Sequence, residues 1–484
     1  MLLEYMASSF YFYDLETSGI NAHQARIMQF GGVRTDMNLK PIGEPDNIMI
    51  KMADDMLPDP EAILVTGITP QATIQDGITE AEFLKYFYKS IVLPDTIFVG
   101  FNSIRFDDEF MRCLHYRNFY DPYEWQWKNG CSRWDLLDVV RMTRALRPDG
   151  IEWPFAPDGK PSNRLELITA SNALEHTSAH DALSDVYATI AVARLIRNKQ
   201  QKLFDYLLDM RNKKKVAELV KGGQPFVYSS GKYPNVYEKT TVVQYICEHP
   251  GRQGALVYDL RQDPEKFINL TATEIAKAWQ ERVEDETKRF PLKTLQYNRC
   301  PAIAPLGVLV STPSAADGVK IDMKIIETNR QKLSKMKSLQ KQLCEAIDVL
   351  DGQRQLKFLP AEDVHEKIYD GFAPEGDRSK MSVVRAADAA DLLNLNIKFA
   401  DDRFNEMLPL YKARNYPASL SDNDRQVWEA YRFKKLMEGG EKSLVSQYFS
   451  RLAALGAKPD ASEQQKYLLE ELLLWGQSII PEIG

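Results

Sequence analysis

YFYDLETSG, residues 11–19, is the stretch on which the reading of this chain turns. Tyr11, Phe12 and Tyr13 read as the end of a buried strand, and Thr17, Ser18 and Gly19 turn the chain. Asp14 and Glu16 stand two apart, so on a strand they share one face. Two carboxylates on one face beside an apolar core repel each other unless a cation offsets them, and a divalent metal is the obvious cation. An ordinary acidic strand end is the competing account of this stretch alone.

The rest of the composition sets bounds. At 484 residues the chain exceeds what one hydrophobic core serves, so two or three domains are expected. With 44% hydrophobic and 27% charged residues, it has the make-up of a folded soluble protein. The cysteines are scattered without a CxxC pair, which fits a reducing, cytoplasmic setting. The start lacks a basic segment followed by a long apolar one, so no signal peptide is expected, and no apolar run is long enough to span a membrane. A net charge of -7 argues against coating nucleic acid by bulk charge but leaves room for a local basic groove.

RIMQFGGVRTD (26–36) reads as a second strand, its glycine pair signalling close backbone approach or a bulge, and NIMIKMA (47–53) as a third. ITEAEFLKYFYKSIV (78–92) is an amphipathic helix with Thr79 as N-cap. IFVGFN (97–102) is a short apolar strand ending at Asn102. Asp107 then falls in the first turns of a helix, a usual site position in an α/β domain, although any acid there is also favoured by the helix dipole. Tyr120, Tyr123, Trp125, Trp127 and Trp134 crowd the next loop, interleaved with Lys128 and Arg133. These rings could stack on bases or could equally pack on the domain. DLLDVVRMTRAL is a helix, and residues 147–164, ending at Arg164, are a loop.

EHTSAHDALSDVYATIAVARLI (175–196) carries the third acidic segment. It reads as a helix from Ala179 onward, with Ser178 and Asp181 resembling a capping box. His180 lies at the helix start and Asp185 five residues later; an exposed cap-region histidine is the bland account of His180. Ala182 is small enough to let the helix approach the sheet. His176 competes with His180 by residue type, while His23 and His115 read as structural or superficial.

Asp14-Leu15-Glu16-Thr17, Asn102-x-x-x-Phe106-Asp107 and His180-x-Ala182-x-x-Asp185 form an ordered set. Over residues 10–200 this set resembles the DEDDh branch of the DnaQ-like 3′-to-5′ exonucleases. The resemblance implies an α/β, RNase-H-like fold, with Asp14, Glu16, Asp107 and Asp185 holding two magnesium ions for which manganese can substitute. Asp14 would bridge the ions, and His180 rather than His176 would be the general base, because Ala182 and Asp185 fix the register. The residue types suit that chemistry. Phosphodiester hydrolysis needs an attacking hydroxide, in-line geometry and charge relief on the leaving oxygen, which two divalent ions about 3.5 to 4 Å apart can supply. Carboxylates are hard oxygen donors, and a neutral imidazole can take a proton from water. Thr17, Asn102, Trp125, Trp127, Lys128, Arg133, Arg164 and Lys215 are the candidate substrate contacts.

Beyond residue 200, the basic run Arg211, Lys213, Lys214 and Lys215 is either a solvated helix face or a phosphate-tracking edge. FVYSS, TTVVQYIC and GALVYDL alternate as strands, TATEIAKAWQERVEDETKRF is an inserted helix, and PLKTLQYNRCPAIAPLGVLV resumes extended structure, which suggests a small barrel. The last segment reads as a bundle of five or so helices, without a repeat of fixed period. Pro291-Leu292-Lys293-Thr294 with Asn298-Arg299-Cys300-Pro301 resembles the segment that follows the nuclease domain in the bacterial exodeoxyribonuclease I family. This wider resemblance implies a DnaQ-like exonuclease domain over residues 1–200, an SH3-like barrel with helical insertions over 201–355 and a C-terminal helical domain over 356–484. It also implies processive degradation of single-stranded DNA from the 3′ end to 5′-mononucleotides in DNA repair and recombination. The enzyme would be monomeric, and the C-terminal tail of single-stranded-DNA-binding protein would be a partner. Two alternatives stay open: an exoribonuclease, since the acidic set does not read the sugar, and a non-enzymatic single-strand clamp or scaffold, which the retained acids argue against.

Overall fold

The structure is a computed structural model that describes residues 8–481 apart from 177–179, 268, 282, 311–312 and 358–360. Strand β1 (Ser9–Thr17) is buried along almost all its length because both of its faces are apolar. Phe10 and Phe12 enter one apolar cluster, and Tyr11, Tyr13 and Leu15 enter another. β1 is the centre of a five-stranded sheet ordered β3-β2-β1-β4-β5. β2 (Ile27–Thr35) is antiparallel to β1, and β3 (Asp46–Met49) is antiparallel to β2. β4 (Thr96–Gly100) is parallel to β1, and β5 (Ser132–Asp135) is parallel to β4.

The Ala182–Lys199 helix crosses β1 and β2 at close range. Gly31 permits this: a Cβ there would lie 2.6 Å from backbone atoms of Ala182 and Leu183. The expected backbone approach at the glycine pair and the small residue at position 182 are therefore two halves of one contact. Gly31→Ala should force the helix off the sheet and lower stability by about 1–3 kcal/mol. Thermal melting checks this; an unchanged melting temperature would refute it.

That helix begins at Ala182, not at Ala179 as expected. His180 has left-handed backbone (φ 67°), and Asp181 is the N-cap, accepting the Ser184 N–H at 3.0 Å. The expected Ser178 cap lies outside the described residues. The Thr79 cap is present as a reciprocal box with Glu82, but its helix runs only from Glu80 to Tyr86 before a wider π-helical turn, Phe87–Ile91. The third strand ends at Met49 rather than Ala53, and β5 was not anticipated. Only four residues long, β5 ends at Asp135, which also caps the next helix.

The second region forms a five-stranded antiparallel sheet ordered β10-β6-β7-β8-β9. Its strands are β6 (Phe226–Ser229), β7 (Thr240–Glu248), β8 (Gly254–Asp259), β9 (Leu292–Gln296) and β10 (Ala302–Pro305). The inserted helix spans Ala272–Gln280, shorter than the expected 271–290. The last region is helical, with four helices of thirteen or more residues between Asp402 and Ser478. The apolar clusters cross all three regions. One joins Phe10 and Trp134 to Val227 and Leu343, and another joins Tyr11 and Phe98 to Phe404 and Trp428. Among the described residues no helix is long and apolar enough to cross a membrane.

Candidate active site

Asp14 and Glu16 leave the same face of β1 near its C-terminal end, Asp14 half-buried and Glu16 buried. Glu16 faces Gln29 across the β1–β2 ladder. Gln29 in turn holds the start of the Ala182–Lys199 helix. Its Nε2 donates to Asp181 Oδ2 at 3.0 Å, and its Oε1 accepts the Ala182 N–H at 3.3 Å. This clamp brings Asp185, in the helix's first turn, over the strand. Donor oxygens of Asp14, Glu16 and Asp185 lie within 4.8 Å of one another.

Asp107 arrives by a different route. Asn102 has left-handed backbone (φ 69°) just after β4. Asp135 gathers the backbone N–H groups of Asn102 (3.0 Å), Ile104 (3.2 Å) and Leu137 (3.0 Å). The organised turn delivers Asp107, buried, to the first position of the Asp107–Arg117 helix.

The four carboxylates resist their own ionisation. Burial, then the charges of Asp107, Asp185 and Glu16, holds Asp14 well above the usual carboxylate range. Burial, then Asp185 and Asp181, pushes Glu16 up to about 8. Asp107 is held well above its ordinary value, mainly by burial, and Asp185 is raised by burial despite the opposing effect of His176. A divalent cation would remove that penalty, and an all-carboxylate donor set suits a hard ion such as magnesium or manganese. The residues present therefore fit a metal centre.

Two histidines border the cluster. His176 Nε2 lies 2.6 Å from Asp185 Oδ1. His180 has an exposed side chain, and its backbone N–H bonds to the Asp185 carboxylate. By ring contact, then, it is His176 that touches the acids.

Family models match three successive segments: an exonuclease domain over residues 11–193, the exonuclease I SH3-like domain over 211–348 and the exonuclease I C-terminal domain over 362–479. The chain belongs to the exodeoxyribonuclease I family. It is 38% identical over 479 residues to exodeoxyribonuclease I of Haemophilus influenzae, covering 98% of this chain and 99% of the relative. Escherichia coli exonuclease I in complex with a dA16 oligonucleotide superposes with a TM-score of 0.91 at 35% identity, covering 98% of this chain and 100% of that one. An ExoI/SSB-Ct complex superposes with a TM-score of 0.89 at 34% identity and the same coverage.

In this exodeoxyribonuclease I family member the expected substrate contacts fare unevenly. Trp125 does not offer a face for a base. It is 1% exposed and packs edge-on against Phe98, Tyr13 and Phe87. Arg133 is also committed internally: it pairs with buried Asp108, and its Nη2 donates to the Asn298 carbonyl at 2.9 Å, tying the first region to the second. Thr17 is buried, its hydroxyl donating to Gly19 O at 2.8 Å. Lys128 pairs with Glu124, Arg164 with Glu166 and Lys215 with Asp209, all on exposed surface. Trp127 alone of the expected rings is openly exposed, at 62%.

What the sequence reading missed is a basic cavity of about 880 Å³ between the first two regions. Arg105, two residues before Asp107, lines it together with Lys232, Arg289, Lys293 and Arg299. Among the described residues Lys293 Nζ has no hydrogen-bond partner, and it lies over the rings of Tyr228 (4.1 Å) and Tyr233 (4.6 Å). Burial pushes Lys293 well down, and burial plus Arg105 and Arg289 lowers Lys232. Lys293 sits in the Pro291–Thr294 motif that the sequence had singled out, but that signal did not locate a cavity.

Proposed function

We propose that this chain is a processive 3′-to-5′ exonuclease that hydrolyses single-stranded DNA to 5′-mononucleotides. The observation that carries the reading is the cluster of Asp14, Glu16 and Asp185, with Asp107 beside it, next to a cavity lined by Arg105, Lys232, Arg289, Lys293 and Arg299. Asp14, Glu16, Asp107 and Asp185 would hold two magnesium ions, or manganese in their place. When bound, the ions supply Lewis acidity toward the phosphodiester and lower the pKa of the attacking water. The acids crowd the site so that only a cation-loaded state is electrostatically relaxed. His180, on a solvent-accessible turn tied to Asp185, takes the proton from water. Arg105 draws strand phosphates into the cavity beside Asp107, and a phosphate bound there would favour the charged forms of Lys232 and Lys293 that burial alone disfavours.

On this reading the protein works as a monomer in the cytoplasm, in DNA repair and recombination. The acidic C-terminal tail of single-stranded-DNA-binding protein would be its partner, as the solved ExoI/SSB-Ct complex suggests for a relative. A time course on 5′-labelled single-stranded DNA, duplex DNA and RNA, with and without magnesium, tests the activity. The expected result is a magnesium-dependent shortening ladder confined to single-stranded DNA; equal loss of RNA would move the substrate to RNA. His180→Ala should keep single-strand affinity and lose turnover by about 10²–10⁴-fold. Near-normal turnover in the purified variant would remove His180 from the base role.

A further inference from the structure

We infer that His176 is a positioning residue that orients Asp185 and, through it, the backbone of His180. The inference rests on the reading of Asp14, Glu16, Asp107 and Asp185 as the metal-holding set. The His176 side chain is only 7% exposed, so both ring nitrogens must find partners inside the protein. They do: Nε2 lies 2.6 Å from Asp185 Oδ1, and Nδ1 lies 3.1 Å from Thr169 Oγ1. With Asp185 ionised the carboxylate only accepts, so the proton of the short contact sits on Nε2; a protonated carboxyl would donate to Nε2 and keep the same contact.

Thr169 explains why the ring keeps that orientation. It is buried in the Leu165–Ser171 helix, and its hydroxyl also faces the carbonyls of Leu165 (3.1 Å) and Glu166 (3.0 Å). A hydroxyl has one proton to give. Given to Nδ1, it leaves a neutral ring with Nε2–H; given to a helix carbonyl, it lets the oxygen accept from Nδ1–H of an imidazolium. In either arrangement Nε2–H still faces Asp185.

Asp185 also accepts the backbone N–H of His180, whose φ is 67°. Two donors from the segment before the helix thus converge on one carboxylate, and that carboxylate lies within 4.8 Å of the donor oxygens of Asp14 and Glu16. Without them, repulsion from Asp14 and Glu16 would favour rotation of Asp185 away from the site. With them, the carboxylate is held in place before any cation arrives, and the His180 backbone is held to the carboxylate. A ring engaged at both nitrogens is poorly placed to take a proton from water, which separates its role from that of His180.

The test compares wild type, His176→Ala, His176→Gln and Thr169→Val in the full chain. Manganese binding is read by electron paramagnetic resonance, and single-turnover cleavage uses an end-labelled oligonucleotide. A glutamine amide can donate from near the Nε2 position but cannot act as a base. His176→Ala should weaken manganese binding and slow cleavage by about 10–100-fold each, with KM for DNA little changed. His176→Gln should recover most of both, and Thr169→Val should lose less than His176→Ala. Equal loss of cleavage in the Ala and Gln variants with wild-type manganese affinity would make His176 a proton-transfer group and overturn the inference. So would wild-type behaviour of His176→Ala. Should His176→Ala fail to fold, the Gln and Val variants still decide: wild-type manganese affinity with lost cleavage in His176→Gln overturns the inference. A wild-type protein that neither binds manganese nor cleaves would overturn the metal-holding reading itself, and this inference with it.

Discussion

Asp14→Asn is expected to abolish turnover and, in the absence of divalent metal, to make the protein more stable. The loss should be at least about 10³-fold, about 4 kcal/mol of barrier, because on the proposed reading a metal-holding carboxylate oxygen becomes an amide. The gain in stability has the same origin. Burial and three neighbouring acids disfavour the Asp14 carboxylate in the folded state, and asparagine keeps the volume without the charge. Glu16 supplies the pH dependence. Its folded value of about 8 lies above its ordinary 4.5, so protonation favours the fold. That contribution is complete below the unfolded value and is lost as pH rises through about 8. Melting temperature in a chelating buffer should therefore fall as pH rises from about 5 to 8, and fall less in Asp14→Asn. Magnesium should reverse the trend, since it binds the ionised form. An active Asp14→Asn, or one that melts below wild type in chelator, would refute the account.

The acidic site was legible because its residues obey short-range rules. Asp14 and Glu16 follow the strand period, Asp107 and Asp185 sit in first helical turns, and Gly31 and Ala182 announce a close contact. What failed depends on partners distant in sequence. Nothing near Trp125 says that Phe98 and Tyr13 will enclose it, and nothing near Arg133 points to Asn298, 165 residues away. The basic cavity was hidden for the same reason: Arg105 and Lys293 look like ordinary surface cations until two regions meet. His176 was set aside on register, yet its ring meets Asp185 because the helix starts later than periodicity suggested. Helix starts are set by caps, and the Asp181 cap works together with Gln29, more than 150 residues earlier.

Asp55→Asn should be among the most destabilising single changes in the chain, although Asp55 is not one of the acids of the site. It is completely buried and lies just beyond β3. Arg414 of the helical region meets it with Nη2 at 2.6 Å and Nε at 3.1 Å, and Lys435 adds Nζ at 2.8 Å. Arg414 also bonds to His365 at 2.6 Å and lies over Trp428. His365 is buried and held well below its ordinary pKa, first by burial and then by Arg414, so the neutral ring can accept from the guanidinium. Asparagine would leave buried Arg414 and half-buried Lys435 without the carboxylate they share, at a loss of about 3–5 kcal/mol. The pH dependence has the opposite sign to that of Glu16. Burial alone would raise Asp55, but Arg414 and Lys435 hold it well below 3.8. Its contribution is therefore present above the unfolded value and is lost as pH falls through the folded one. Urea unfolding at neutral pH should separate wild type from Asp55→Asn by the full amount, and the two should converge on strong acidification. Equal stability at neutral pH would mean that the pair does not bind the helical region to the nuclease sheet.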